Sequence, residues 1–291
     1  MSTKPVLLTI GLPFFNNEKT IAQAIKSVLN QTYIHFELCL IDDGSTDQSY
    51  NIAKQVVGED ARVTIIRDGE NKGLISRLNQ IIDFSNGLYV VRMDADDIMM
   101  LDKLEKQVKC FEEYPEIDVV ATAAYTIDEQ NNVIGIRDIH SIQIRSGRDV
   151  IKSSILIHPT VMAKKSWFVQ NRYDNAYFRA EDYELWCRTF NHTAFYRITE
   201  PLFFYREGNV SLNNYKLSMR TLRKILKNYG KKYLGCSELY IEISKTYLKN
   251  ALYQTFGLFK LQHILSSRRN MTLTDNQRSH ARTILNNLNN L

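Results

Sequence analysis

The stretch Leu88-Tyr89-Val90-Val91-Arg92-Met93-Asp94-Ala95-Asp96-Asp97 decides how this chain is read. An apolar run over 88–93 reads as a short strand, and it breaks at once into three carboxylates within four residues. Alternate side chains of an extended segment share a face, so Asp94 and Asp96 are expected to point the same way. Carboxylates crowded like this repel unless a proton or a cation offsets them. Hard oxygen donors suit Mg²⁺ or Mn²⁺, and Mg²⁺ typically joins one or two carboxylates to the phosphates of a substrate. Taken alone, D-A-D-D is equally a solvated turn ahead of the helix expected from Leu101.

Working outward, the first hundred residues alternate between strand-like and helix-like segments. Strands are expected at Val6–Leu12, Phe36–Ile41, Val63–Arg67 and Leu88–Met93. Between them, helices are expected at Glu18–Gln31, where Ile21, Ile25, Val28 and Leu29 fall at helical spacing, and at Gln48–Val57 and Leu74–Phe84. Such alternation implies an α/β fold with a mostly parallel sheet and right-handed crossovers. Ligands of these sheets bind outside the carboxyl ends of the strands. Three of those ends carry the unusual residues, at Pro13–Glu18, Asp42–Asp47 and Asp94–Asp97. Asp42-Asp43-Gly44-Ser45 alone is also an ordinary turn and helix cap. Two acidic clusters at strand ends of one sheet carry more weight than either does singly.

Past Leu101 the pattern loosens. A helix is expected at Leu101–Tyr114, short strands at Val119–Ala124, Val133–Arg137 and Ile155–Ala163, then a helix from Glu181 and a strand near Phe195–Ile198. From Tyr215 the chain turns helical, with Leu222, Ile225, Leu226, Tyr229 and Tyr233 on one stripe.

Composition sets the class. The chain has 291 residues, 44% hydrophobic and 24% charged, which is ordinary globular composition with room for a sizeable core. No apolar run approaches the roughly 18 residues of a membrane span, and the N-terminus does not read as a signal peptide. Cys39, Cys110, Cys187 and Cys236 form no C-x-x-C pair and read as buried free thiols of a reducing compartment, so the expected location is the cytoplasm. The formal net charge is +5, and part of it is concentrated between Lys216 and Lys232, where seven bases meet no acid. That segment suggests an anionic partner, with peripheral contact to the inner face of the plasma membrane as one reading and packing on the rest of the chain, its bases merely solvated, as the equal alternative. No motif for reading DNA or RNA accompanies it, so no nucleic-acid partner is expected.

Five segments taken together resemble family 2 glycosyltransferases of the GT-A fold. They are Leu12-Pro13-Phe14-Phe15-Asn16-Asn17-Glu18, Leu40-Ile41-Asp42-Asp43-Gly44-Ser45-Thr46-Asp47, Asn71-Lys72-Gly73-Leu74, Met93-Asp94-Ala95-Asp96-Asp97 and Ala180-Glu181-Asp182-Tyr183-Glu184-Leu185-Trp186. They occur in the family's order and cover roughly residues 5 to 210. The resemblance implies a Rossmann-like, mostly parallel central sheet flanked by helices. Residues 1–100 would form the nucleotide-sugar half and 101–213 the acceptor and catalytic half, with 214–291 a helical C-terminal extension.

By that similarity, Pro13, Phe15 and Glu18 line the base and ribose, and Asp43 accepts from a uracil imide. Asn71, Gly73 and Arg77 belong to the segment closing over the nucleotide, although Arg77 stands one position earlier than the family pattern places its arginine. Asp94 approaches the ribose or a Mn²⁺ or Mg²⁺ ion, Asp96 is the direct metal ligand, and Asp97 is a helix-capping residue. Asp182 matches the general base that takes the acceptor hydroxyl's proton. Glu181, His158 and Trp186 fall on the acceptor side. Acids in the first turn of a helix also simply suit its dipole, and a lone His or Trp is as often core. Tyr205-Arg206 stands where the family sometimes places a metal-binding histidine.

The implied activity is inverting transfer of a hexose or N-acetylhexosamine from a UDP-sugar to a saccharide or lipid-linked saccharide. Its product is a β-glycoside, as in bacterial O-antigen, capsule or lipooligosaccharide assembly. A nucleotidyltransferase would carry a Gly-rich basic loop after the first strand, which Leu12–Glu18 lacks. A non-catalytic nucleotide-sugar-binding protein would have no need of both Asp96 and Asp182.

Overall fold

A computed structural model of the chain describes residues 6–208, 211–258 and 270–290. Strand β1 (Leu8–Phe14) is buried along its whole length, and its parallel neighbours are β2 (Phe36–Asp42) and β4 (Tyr89–Arg92). Helix α1 (Ile21–Leu29) follows β1, α2 (Ser49–Val57) follows β2, and α3 (Leu74–Phe84) lies between β3 (Val63–Arg67) and β4. Side chains alternate across the sheet as the pleat requires. Leu38 and Leu40 of β2 join one core layer with Leu8, Ile10, Leu12, Ile21 and Ile25, while Cys39 and Ile41 join a second with Ile75, Leu78 and Ile81. Gly11 lies where α3 crosses the sheet closely; a Cβ there would sit 2.3 Å from Ile81 Cγ2.

The sheet runs β3-β2-β1-β4-β8-β6-β9-β5, with β7 (Val133–Arg137) pairing β6 (Val119–Ile127) off the main path. It is parallel from β3 to β4 and mixed beyond. There β8 (Met162–Lys164) runs antiparallel to both β4 and β6, and β9 (Phe195–Arg206) runs parallel to β6. Order reverses beside β1, so the carboxyl ends of β1, β2 and β4 open onto one crevice.

Two strand expectations change. Residues 155–163 do not form one strand: a 3₁₀ turn occupies His158–Thr160 before β8 begins. Pro159 has no N–H to donate to a ladder and fixes its own φ, which favours the turn. The two-residue strand β5 (Ile98–Met99) follows the acidic cluster and pairs with Phe203 and Phe204 of β9. Too short for any periodicity, it draws the far end of β9 under Asp97. Helix α4 (Lys103–Glu113) starts after Asp102, close to the expected Leu101.

Helices α5 (Gly147–Lys152), α6 (Lys165–Gln170) and α7 (Glu181–Thr189) precede β9, and from Leu212 the described residues are largely helical as expected. Helix α8 (Leu212–Ile225) continues through a wide π-turn at Leu226–Gly230 into the short α9 (Lys231–Tyr233), followed by α10 (Cys236–Leu258) and α11 (Asp275–Asn289). The stripe Leu222, Ile225, Leu226, Tyr229, Tyr233 turns inward onto the second core layer. Helix α11 places Ala281, Leu285 and Leu288 against Ile98, Tyr125 and Phe204. Three of the four cysteines are buried free thiols as expected, but Cys236 is exposed at the start of α10. Among the described residues no helix is long and apolar enough to cross a membrane.

Candidate active site

The loops after β1 and β2 are stitched together by side chains that cap backbone. Asn16, held at φ 54°, donates its N–H to Ser45 Oγ (3.1 Å) and accepts from Thr46 N (2.9 Å). Asn17 N donates to Ser49 Oγ at 2.6 Å. Glu18 N donates to Asp47 Oδ2, and Glu18 Oε2 accepts from Gln48 N, both at 3.1 Å. Glu18 therefore caps the entry to α2. Phe15 is 46% exposed at the same rim and Pro13 lies in β1.

Asp43 is the hub of this corner. Its Oδ1 accepts from Lys72 N and from Arg77 Nε, each at 2.7 Å, and its Oδ2 accepts from Gly73 N at 3.0 Å. Gly73 turns at φ 79° to direct its N–H there, a backbone angle that side chains disfavour. Arg77 is fully buried and forks onto both oxygens of Asp68 at 2.7 and 2.8 Å. The expectation that Arg77 meets the nucleotide is corrected: its guanidinium is wholly enclosed and is spent on Asp43 and Asp68. Asn71 and Lys72 are exposed, and Lys72 pairs with Asp68 and Glu70.

At the end of β4 the chain forms a turn, and Asp94, Asp96 and Asp97 bring one carboxylate oxygen each within 4.8 Å of one another. Asp94 pairs with Arg92. Burial, then Asp94, pushes Asp96 up to about 6. Burial, then Asp96, raises Asp97 well above the carboxylate range. Asp97 is not the helix cap expected. Its Oδ1 accepts from Arg206 N at 2.7 Å, while its Oδ2 is buried without a hydrogen-bond partner. Three crowded carboxylates, two of them resisting ionisation, are the electrostatic signature of a place for a cation, and oxygen-only donors fit a hard divalent ion. Arg206 replaces the histidine. Its Nε donates to the Asp96 carbonyl and its Nη1 to the Asp128 carbonyl, both at 2.7 Å. It splints the acidic turn and offers no metal-binding atom.

Asp94, His158, Glu181 and Asp182 line one cavity of about 890 Å³. Glu181 and Asp182 open α7. Burial, then Asp182, pushes Glu181 up to about 7, and burial also raises Asp182. His158 Nε2 lies 2.8 Å from Tyr173 Oη, and burial, then Arg92, drives its pKa well below the usual range, so the ring is neutral. Trp186 is corrected as an acceptor contact. It is 0% exposed, set edge-on to His158 and stacked on Trp167, so it backs the site from inside the core. Asp96 does not line this cavity, although its neighbour Asp94 does.

Sequence reading missed Arg92, Arg137, Arg179, Arg197, Tyr215 and Tyr253, which also line the cavity. Arg92 had a signal: a charge inside an apolar strand is costly unless paired. The tyrosines had none, since α8 and α10 reach the cavity only through tertiary packing.

A sheet of this order, with polar loops at the carboxyl ends of β1, β2 and β4, defines a doubly wound α/β scaffold with its ligand crevice at that edge. Residues 9–178 match the family described as Glycosyl transferase family 2, and the chain belongs to that family. EpsE of Bacillus subtilis (strain 168) is 30% identical over 255 residues, covering 86% of this chain and 89% of EpsE. Among solved structures, S. aureus TarS in complex with UDP superposes with a TM-score of 0.60 at 17% identity, over 86% of this chain and 72% of that one. The Pyrobaculum calidifontis mannosyltransferase PcManGT, in complex with GDP-Man and Mn²⁺, gives a TM-score of 0.52 at 16% identity, over 91% and 86%. These likenesses show the GT-A-like fold.

Proposed function

We propose that this family 2 glycosyltransferase moves a hexose or N-acetylhexosamine from a UDP-sugar to a saccharide or lipid-linked saccharide, with inversion to a β-glycoside, in assembly of a bacterial surface glycan. The observation that carries the reading is that Asp94, from the metal-binding turn, and Asp182, from α7, face one cavity. TarS with UDP and PcManGT with Mn²⁺ support a nucleotide-sugar donor and a divalent ion.

The lone pairs of Asp43 support uracil as the base. Each carboxylate oxygen has about two acceptor sites. Asp43 Oδ1 has both filled, and Oδ2 has one filled by Gly73 N. One acceptor site remains, which matches the single imide N–H of uracil and falls short of the paired N–H groups of guanine.

Asp94 and Asp96 would hold Mn²⁺ or Mg²⁺, with Asp97 beside them. When bound, the ion supplies Lewis-acid neutralisation of the departing diphosphate. Asp182 takes the proton of the acceptor hydroxyl as it attacks the anomeric carbon. Its raised pKa makes it a stronger base than a solvated carboxylate. Glu181 orients the acceptor beside it, and neutral His158, fixed by Tyr173, offers a ring nitrogen without adding charge.

The test is transfer from a panel of UDP- and GDP-sugars with Mn²⁺ or Mg²⁺, with the product's anomeric configuration read by NMR. Asp182→Asn is expected to cut turnover by about 10²–10⁴ with UDP affinity intact. Retention of configuration, or undiminished turnover in that variant, would overturn the mechanism.

A further inference from the structure

The stripe Leu222 to Tyr233, which by sequence suited a membrane or the core equally, faces the core. Among the described residues, a different apolar face is left open to solvent, on α10. Helices α8 and α10 pack side by side: Tyr215 stacks on Tyr253 with ring centroids 3.7 Å apart, and Arg223 Nη1 donates to Thr246 Oγ1 at 3.3 Å. This seats Thr246 and Tyr253 inward. At 100° per residue, Ile241, Leu248 and Leu252 fall on the opposite side of α10, with Tyr240 and Tyr247 along one edge. They are open to solvent, Leu248 by 61% and Tyr240 by 74%.

The charge around this face is predominantly basic. Residues 211–258 hold nine lysines and arginines and two acids, Glu238 and Glu242. Both acids are engaged: Glu238 meets Arg148 and Lys152, and Glu242 Oε1 takes Lys245 Nζ at 2.8 Å. Lys245 and Lys249 stand exposed on α10, as do Lys216, Arg220 and Lys224 on α8.

We infer that the outward face of α10 docks on an anionic lipid bilayer. Apolar side chains edged by tyrosines and lysines are the composition of a helix that lies in the headgroup region, where basic residues gain from anionic lipid. A second copy of the chain fits less well, because it would set one basic surface against another. The same hairpin lines the cavity from its inner side through Tyr215, Met219, Leu222 and Tyr253. Docking would therefore hold the acceptor cavity next to the bilayer, suited to an acceptor whose lipid stays in the membrane. That last link rests on the proposed function; the surface itself does not.

The experiment is sedimentation of the full chain with vesicles of phosphatidylcholine alone or mixed with phosphatidylglycerol. Wild-type protein is expected to bind the mixed vesicles, with about tenfold or greater preference over neutral ones and with loss of binding in high salt. The triple substitution Ile241→Ser, Leu248→Ser, Leu252→Ser is expected to weaken binding about tenfold or more, with UDP affinity unchanged as the check on folding. Lys245→Glu with Lys249→Glu leaves the apolar face intact and is expected to remove the preference for anionic lipid. Failure of the wild type to bind mixed vesicles, or unchanged binding in both variants, overturns the inference. So does a concentration-dependent dimer that the triple substitution abolishes in the absence of vesicle binding. Vesicle binding without sugar transfer would instead sink the proposed function and leave the surface standing.

Discussion

Arg77 Nε lies 2.7 Å from Asp43 Oδ1, and both side chains are buried. The pair joins the loop after β2 to the first turns of α3. A carboxylate at a strand end is thereby held in one orientation by a residue 34 positions away.

Replacing Arg77 with Met should therefore harm binding and folding together. It strips a buried partner from Asp43, a loss usually worth about 3–5 kcal/mol, with the Lys72 and Gly73 amides retaining part of the hold. UDP affinity should fall by about tenfold or more as Asp43 loosens. Calorimetric titration with UDP and denaturant unfolding check both effects; unchanged UDP affinity would place Asp43 outside the base pocket.

Asp96→Ala should abolish metal-dependent nucleotide binding and transfer. The fold should survive, since removing Asp96 relieves carboxylate crowding: melting temperature without metal should stay level or rise. Titration of Mn²⁺ by electron paramagnetic resonance reads the ion directly. Unaltered Mn²⁺ affinity would move the ion elsewhere.

Glu181 carries a signed pH dependence. Its folded pKa of about 7 lies above its ordinary value of 4.5. It therefore contributes stability that is fully present below about 4.5 and lost as pH rises toward about 7. Glu181→Gln has no such slope, so its melting temperature relative to wild type should climb from pH 4.5 to pH 7 and then level off. Parallel melting curves across that range would show Glu181 to be better solvated than its surroundings imply.

Lys103 is an outlier outside the site. It is fully buried, Nζ meets Gln107 Oε1 at 2.8 Å, and burial drives its pKa down to about 7 from 10.5. The folded state sheds this proton more readily than the unfolded one. Its stabilising contribution, present above about 10.5, is lost as pH falls toward about 7. Lys103→Met should raise the melting temperature by about 4 °C or more at pH 7 and by less at pH 10. A gain that does not shrink with rising pH would mean that packing, and not charge, is responsible.

The local pattern of the chain was sufficient for the parallel half of the sheet. In β1, β2 and β4 the apolar run and the polar residues at its carboxyl end lie within ten residues, so strand and loop were legible together. The acidic turn was legible for the same reason, as charge set at the end of an apolar strand, whereas Asp43 and Asp182 were singled out only by the family resemblance. What lay outside the sequence was who meets whom. Arg77 reads, by resemblance, as part of the segment closing over the nucleotide until α3 packs under β2 and closes it between Asp43 and Asp68. Asp97 reads as a helix cap until two residues of β5 pair with β9 and bring Arg206 N beneath it. Trp186 reads equally as an acceptor contact or as core until α7 turns it onto Trp167. Leu222 to Tyr233 and Ile241 to Leu252 are both apolar and near bases. Only the pairing of α8 with α10 decided which stripe is buried and which faces solvent, because periodicity reveals that a helix has an apolar side and tertiary packing alone chooses what covers it.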